Sequence, residues 1–123
     1  DQAPTLSQMD SMKNYVEMAM KEGAFGISTG LKYLPGTFAK VDEIISLSKV
    51  ASSYQGIYTS HLREEGLGLI DAVQEAILIS KEAEIPVVLT HHKAIGVKMW
   101  GARCDFKHKS RIFLRSPRRM RLL

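Results

Sequence analysis

The chain has 123 residues, of which 45% are hydrophobic and 24% charged, so its composition suits one globular domain and excludes a disordered chain. Its single cysteine, Cys104, excludes an internal disulfide and a zinc knuckle of paired cysteines, which favours a cytoplasmic protein. No apolar run approaches the roughly 18 residues that a membrane span requires, so no membrane partner is expected. The formal net charge is +4, but residues 1–101 hold 9 Lys and Arg against 12 Asp and Glu, and residues 102–123 hold 8 against 1.

The first quarter of the chain predicts a helix followed by a strand. Apolar residues recur at helical spacing over residues 7–22, and Gly23 then supplies a helix stop. We interpret the Met-rich stripe of this helix as core packing. Residues 24–30 form a small-residue strand whose glycines permit close backbone approach. Residues 31–37 are predicted to be a loop that leaves the carboxyl end of this strand.

Two more helix–strand pairs follow. Asp42 is the expected N-cap of a second helix, which Gly56 closes. A β-branched and aromatic strand then ends at His61. A third amphipathic helix is predicted over residues 69–83, and the apolar run of residues 85–91 is predicted to be a strand ending at His91.

The predicted strands begin near residues 24, 56 and 86, a spacing of about 30 residues that is typical of βα units. The fold class is therefore α/β, with either an open doubly wound sheet or a (β/α)8 barrel. The sequence contains neither GxGxxG after a strand nor GxxxxGK[ST], which favours the barrel. Because three strands cannot close a barrel, we predict a partial (β/α)8 TIM barrel whose open edges favour self-association.

Two of the predicted strands end in a histidine at equivalent positions. Neighbouring parallel strands lie about 4.8 Å apart, so imidazoles from His61 and His91 can converge on one zinc ion. Either histidine alone would more often be a structural residue. His92 should point to the opposite face of the sheet, because successive side chains in a strand alternate.

Three motifs together resemble one known family. The segments GAFGISTGL at residues 23–31, YTSHLR at residues 58–63 and THHK at residues 90–93 are similar to the N-acyl-D-amino-acid deacylases (D-aminoacylases) of the amidohydrolase superfamily. The similarity runs from about residue 3 to residue 101. It implies a (β/α)8 barrel beside a small β domain, with the three strands corresponding to strands four, five and six.

The resemblance also implies roles for four residues. His61 and His91 would be zinc ligands from strands five and six. Lys93, in the family's Ser-His-x-Lys motif, would bind the substrate carboxylate, and Tyr33 in the Gly-Leu-x-Tyr loop would assist. The implied reaction is zinc-dependent hydrolysis of a small N-acyl-D-amino acid to a D-amino acid and a carboxylate. Without the resemblance, Lys93 would be read as a solvated surface lysine.

Parts of the family pattern have no counterpart in this sequence. These are the His-x-His of strand one, the metal-bridging cysteine of strand two and the general-base Asp of strand eight, so no catalytic residue is assigned. We therefore expect the chain to be a fragment that is inactive alone. The alternatives are a ring-opening amidohydrolase such as a dihydroorotase or hydantoinase, and a non-catalytic remnant. The ring-opening hydrolase would need a lysine ligand on strand four, where this sequence has Ser28 and Thr29.

The resemblance ends at Trp100 and Gly101, where the arginine-rich segment begins. We therefore divide the chain into a partial barrel domain, residues 1–101, and a basic tail, residues 102–123. The abrupt change in composition favours an aberrant, frameshifted tail. The rival interpretation is an arm that binds an anionic surface or a nucleic acid, but a nucleic-acid partner is not expected.

Overall fold

The computed structural model describes residues 3–99, and the basic tail of residues 102–123 lies outside the described residues, as does the predicted boundary at residue 101. Helices and strands alternate in the predicted order. The elements are α1 (Leu6–Lys21), β1 (Gly26–Gly30), α2 (Val41–Ser53), β2 (Ile57–His61), α3 (Leu69–Glu82) and β3 (Val87–Leu89). Short 3-10 turns at Gly36–Phe38 and Val97–Met99 lie in the segments that follow β1 and β3. None of the helices in residues 3–99 has both the length and the apolar character needed to cross a bilayer.

Local sequence signals explain where α1 begins and ends. Thr5 is its N-cap and forms a capping box with Gln8, and Gly23 adopts a φ of +104° beyond its last turn. The prediction that the Met-rich stripe is core is met in part, since Met20 is buried but Ala19 is exposed.

The start of α2 differs from the prediction. Its N-cap is Lys40, which has an extended backbone, and Asp42 lies inside the first helical turn. Asp42 therefore supports the helix through its charge near the positive end of the helix dipole, and not through a capping hydrogen bond. The capping signal in the sequence was displaced by two residues.

The strands form one parallel sheet in the order β1-β2-β3, as expected for successive βα units. The register pairs Ser28 with Thr59 and Thr59 with Val88. Gly26 lies against the backbone of Ile57 so closely that a Cβ atom there would overlap the Ile57 carbonyl oxygen. The close approach predicted for the small-residue strand is therefore present.

Burial alternates along β2, which identifies the two faces of the sheet. Tyr58 and Ser60 are fully buried, whereas Ile57 is 37% exposed. One face packs against the helices and the other is open. The buried apolar residues are Met20, Leu31, Ile44, Ala51, Tyr58, Leu62, Leu69, Ala72, Val73, Ala76, Ile79, Ala83, Ile85 and Val87. His61 shares the parity of Ile57, so it lies on the open face at the carboxyl end of β2.

The last strand is shorter than predicted. It ends at Leu89, two residues before His91, and His91 itself has a φ of +39°. The register pairs Ser60 with Leu89, so a longer strand would place Thr90 opposite His61 and turn His91 toward the other face. The prediction that strand alternation selects His91 over His92 was therefore wrong in its reason, because the chain leaves the strand geometry before either histidine.

Candidate metal centre

The site is built around His61, the last residue of β2. Its side chain is 13% exposed. The ring of Tyr33, from the segment after β1, lies with its centroid 4.8 Å from that of His61 and is tilted by 53°. The regular strand therefore delivers this imidazole to the carboxyl edge of the sheet, where the sequence predicted it.

The turn after β3 brings a second imidazole to the same place. The Nε2 atom of His91 lies 2.8 Å from Nδ1 of His61, and the ring centroids are 4.3 Å apart. The left-handed backbone at His91 is unusual for a residue with a Cβ atom, and such strain is concentrated at functional sites. The two histidines that the sequence singled out are thus brought into direct contact.

A buried carboxylate completes the cluster, and the sequence reasoning did not identify it. The side chain of Glu65, in the turn after β2, is only 4% exposed. Its carboxylate lies 3.8 Å from His61 Nε2, 3.5 Å from His91 Nδ1 and 2.5 Å from the Lys93 ammonium. A spacing of four residues from His61 was the available signal, but it had the appearance of an ordinary charged turn.

Lys93 belongs to this cluster and is not a free surface lysine. Its Nζ atom donates to Glu65 and lies 3.3 Å from Nδ1 of His91. Its side chain is 46% exposed, so part of the ammonium still faces solvent at the open edge of the sheet. An ammonium group has three donors, and Glu65 uses one of them.

The surroundings of the cluster favour a neutral His61 ring beside an ionised Glu65 carboxylate. Burial lowers the pKa of His61, which stabilises the neutral ring. Burial on its own would raise the pKa of Glu65, but the hydrogen bond and charge of Lys93 outweigh it and hold that pKa below its usual value. Neutral imidazole and carboxylate are the forms that bind metal ions.

An arginine outside the cluster anchors the segment that carries Tyr33. The guanidinium of Arg63 makes a bidentate contact with Glu75 of α3, with its shortest distance 2.8 Å. It also donates to the backbone carbonyls of Thr37 and Ala39 at 2.7 and 2.9 Å. Arg63 thus ties the segment after β1 to the segment after β2 and fixes the wall of the site on the Tyr33 side.

The donor set fits a zinc ion. His61, Glu65 and His91 each offer one ligand atom, and these atoms all lie within 4.8 Å of one another. Imidazole nitrogen and carboxylate oxygen are common zinc ligands. Two nitrogens bound to one tetrahedral zinc lie about 3.3 Å apart. His61 Nδ1 and His91 Nε2 are 2.8 Å apart, so they would need to move apart only slightly to bind the same ion. His61 Nε2 is buried without a hydrogen-bond partner and faces the Glu65 carboxylate at 3.8 Å.

Comparison with curated proteins finds three related enzymes of Alcaligenes xylosoxydans xylosoxydans. The chain is 39% identical to a D-aminoacylase over 99 residues, 38% identical to an N-acyl-D-aspartate deacylase over 100 residues and 35% identical to an N-acyl-D-glutamate deacylase over 98 residues. Each match covers 80% of this chain and 20% of the relative. The chain therefore spans about a fifth of the length of the curated relatives that it matches. No family model matches the sequence.

Solved structures of the same kind match the fold. A crystal structure of D-aminoacylase, described as defining a novel subset of amidohydrolases, superposes with a TM-score of 0.88 and 31% identity, over 92% of this chain and 24% of that one. N-acyl-D-glutamate deacylase from Bordetella bronchiseptica, solved with zinc and a phosphonate inhibitor, superposes with a TM-score of 0.85 and 33% identity, over 94% of this chain and 24% of that one. The three βα units therefore form part of an α/β barrel, which confirms the partial barrel predicted from the sequence.

Proposed function

This chain belongs to the D-aminoacylase family of amidohydrolases, and from that premise we propose that it forms part of a zinc-dependent hydrolase of N-acyl-D-amino acids. The observation that carries the proposal is the contact between His61 and His91 at 2.8 Å, because it joins the ends of two neighbouring βα units at the edge where barrel enzymes have their active sites. The names of the relatives supply the substrate class.

In this proposal the imidazoles of His61 and His91 hold the ion. A bound zinc ion supplies a Lewis acid for the amide carbonyl and acidifies a water molecule. Burial lowers the pKa of His61, which favours the neutral ring that can bind a metal ion. Tyr33 packs on the His61 ring and restricts its rotation.

Lys93 is proposed to bind the carboxylate of the substrate. Its ammonium is partly exposed beside the two histidines, and its remaining donors suit a carboxylate. Tyr33 lines the same edge, with its side chain more than half exposed. A carboxylate held by Lys93 would bring the neighbouring acylated nitrogen toward the imidazole pair, which is the arrangement that amide hydrolysis requires.

The proposal includes location and domain boundaries. We place the working protein in the cytoplasm and assign residues 1–101 to the partial barrel and residues 102–123 to a tail without a role in hydrolysis. A ring-opening hydrolase is the less favoured alternative, because Ser28 and Thr29 stand where it would need a lysine and Thr29 instead bonds to Tyr58.

Zinc titration by calorimetry tests the ligand assignment on the 123-residue chain. We expect weak binding, since two histidines leave the ion short of ligands, and its loss in both His61→Ala and His91→Ala. His92→Ala is the matched control and should bind as the unaltered chain does. Tight zinc binding that survives His61→Ala would overturn the assignment.

A chimera tests the activity. Residues 3–101 would replace the matching fifth of the Alcaligenes D-aminoacylase, and release of D-amino acid from N-acetyl-D-amino acids would be measured with zinc present. We expect turnover that falls at least about 100-fold with His61→Ala but not with His92→Ala. The 123-residue chain alone should show none. Zinc-dependent turnover by that chain alone, or equal activity of the two chimera variants, would contradict the proposal.

A further inference from the structure

Glu65 belongs to the candidate donor set, but the proposed function assigns the ion to His61 and His91 and leaves this buried carboxylate without a role. Among the acidic residues in the described range 3–99, it alone is buried, at 3% exposure. An ionised carboxylate in such a place is destabilising unless charged or polar partners surround it. Its partners are the two imidazoles and the Lys93 ammonium, so a role within the site is the natural explanation.

The two histidines present different nitrogens to Glu65 and to each other. His61 Nδ1 and His91 Nε2 face one another at 2.8 Å, and we call these the inner nitrogens. The outer nitrogens, His61 Nε2 and His91 Nδ1, are the ones that approach the Glu65 carboxylate, at 3.8 and 3.5 Å. One carboxylate therefore stands behind both rings.

We infer that Glu65 is a positioning residue, which holds the outer nitrogens of both imidazoles and the Lys93 ammonium so that the inner nitrogens are directed at the ion. The inference rests on the proposed function for the identity of the ion. Metal-binding histidines commonly direct their second ring nitrogen to a carboxylate, which fixes the ring orientation and the position of its proton. Here a single side chain serves two rings and a substrate-binding group.

The same geometry selects the direction of the hydrogen bond between the rings. A lone pair on His61 Nε2 would face the Glu65 carboxylate unfavourably, and an N–H at His91 Nδ1 would face the Lys93 ammonium unfavourably. In the metal-free chain both conflicts are avoided when His91 Nε2–H donates to His61 Nδ1, His61 carries its proton on Nε2 and His91 Nδ1 accepts from Lys93. An ion held by the inner nitrogens would require His91 to carry its proton on Nδ1 instead, where it faces Glu65 at 3.5 Å. Glu65 and Lys93 thus favour the same arrangement in the metal-free chain.

The backbone of Glu65 strengthens its link to Lys93. The Glu65 carbonyl accepts a hydrogen bond from the Ile95 amide at 2.7 Å. Glu65 therefore contacts the segment after β3 both before Lys93, at His91, and after it, at Ile95. The neighbouring Glu64 has a separate task. Its carboxylate accepts the amides of Glu65 and Gly66 at 2.8 and 2.7 Å and shapes the turn. Glu64→Gln is therefore a matched control, with the same chemical change one residue away.

Metal titration of the full 123-residue chain is the first test. Zinc affinity should fall about 10- to 100-fold in Glu65→Gln, less in Glu65→Asp, and hardly at all in Glu64→Gln. With cobalt(II) as the probe, the visible spectrum of the loaded Glu65→Gln chain should keep the shape of the unaltered one, since the ligand atoms are unchanged. Unaltered affinity in Glu65→Gln overturns the inference, as does a changed cobalt spectrum, which would make Glu65 a ligand.

Nitrogen NMR of the histidine rings in the metal-free chain is the second test, and it does not depend on zinc. His61 should be protonated at Nε2 in the unaltered chain and in Glu64→Gln, and should become a mixture of the two tautomers in Glu65→Gln. An unchanged His61 signal in Glu65→Gln overturns the inference. If zinc fails to bind, or binds equally well to His61→Ala, the proposed function fails while this NMR result still decides the role of Glu65.

Discussion

The ends of β2 and β3 have the same sequence pattern but use it differently. Each carries a hydroxyl residue, a histidine and, two positions later, a basic residue: Arg63 after His61 and Lys93 after His91. His61 reaches the site from regular strand geometry, whereas His91 reaches it from a left-handed turn. A repeated motif in a barrel thus need not mean a repeated conformation.

The two basic residues diverge as well. Arg63 turns toward Glu75 and two backbone carbonyls and joins three segments of the fold. Lys93 remains at the open edge beside Glu65 and His91. The planar fork of arginine suits several simultaneous acceptors, and the flexible lysine suits a partner that comes and goes. The β2 end is therefore the structural half of the site, and the β3 end is its accessible half.

Replacing each basic residue by the other type should give the largest difference in unfolding free energy between the two ends. Arg63→Lys loses most of the contacts to Glu75, Thr37 and Ala39, so we expect the free energy of unfolding to fall by about 2 kcal/mol. Lys93→Arg, at the equivalent position, should lower it less, because arginine keeps the positive charge beside Glu65. Urea unfolding measures both, and trypsin should cut after Lys40 faster in Arg63→Lys only. Equal losses of unfolding free energy in Arg63→Lys and Lys93→Arg would mean that the β2 end is not the structural half of the site.

Exchanges at the histidines test the backbone difference. The His91→Val variant should be less stable than His91→Asn by roughly 1 to 2 kcal/mol, because a β-branched residue disfavours the left-handed backbone that Asn tolerates. At position 61 the His61→Val variant should instead be more stable than His61→Asn, by up to about 1 kcal/mol, since Val favours strand geometry. Each pair of variants loses the imidazole equally, so thermal unfolding compares Val with Asn at each position without the loss of the histidine contacts. The same order of stability of the Val and Asn variants at both positions would contradict the difference in backbone geometry between His61 and His91.

Alkaline pH should reveal a buried hydroxyl group on the β2 side. Burial raises the pKa of Tyr58, whose hydroxyl lies 2.8 Å from that of Thr29. The unfolded chain therefore loses this proton first, so the stabilisation is complete below about pH 10 and is lost as pH rises through the folded pKa. The loss should approach about 1.4 kcal/mol per pH unit between the two pKa values. Urea unfolding from pH 8 to 11 should therefore show the unaltered chain losing stability relative to Tyr58→Phe, and a constant difference between the two would contradict the prediction.

Removal of residues 102–123, which follow the β3 end, should have the smallest effect. The tail shows no sustained apolar period with which to dock, so we expect the unfolding free energy of the truncated chain to match that of the full chain. Urea unfolding of the two chains is the measurement. A clear loss of stability on truncation would mean that the tail packs on the partial barrel and that the boundary at residue 101 is misplaced.

The sequence by itself determined the alternation of helices and strands and the edge at which the chemistry lies. Helical and strand periodicities are local properties, so α1, α2, α3 and the end of β2 at His61 could be predicted without knowledge of their neighbours. Only the tertiary structure decided the end of β3, the left-handed turn at His91 and the burial of Glu65. These features depend on partners from other segments, such as Lys93 for Glu65 and Glu75 for Arg63, and the direction of a side chain in a turn has no period from which it could be read.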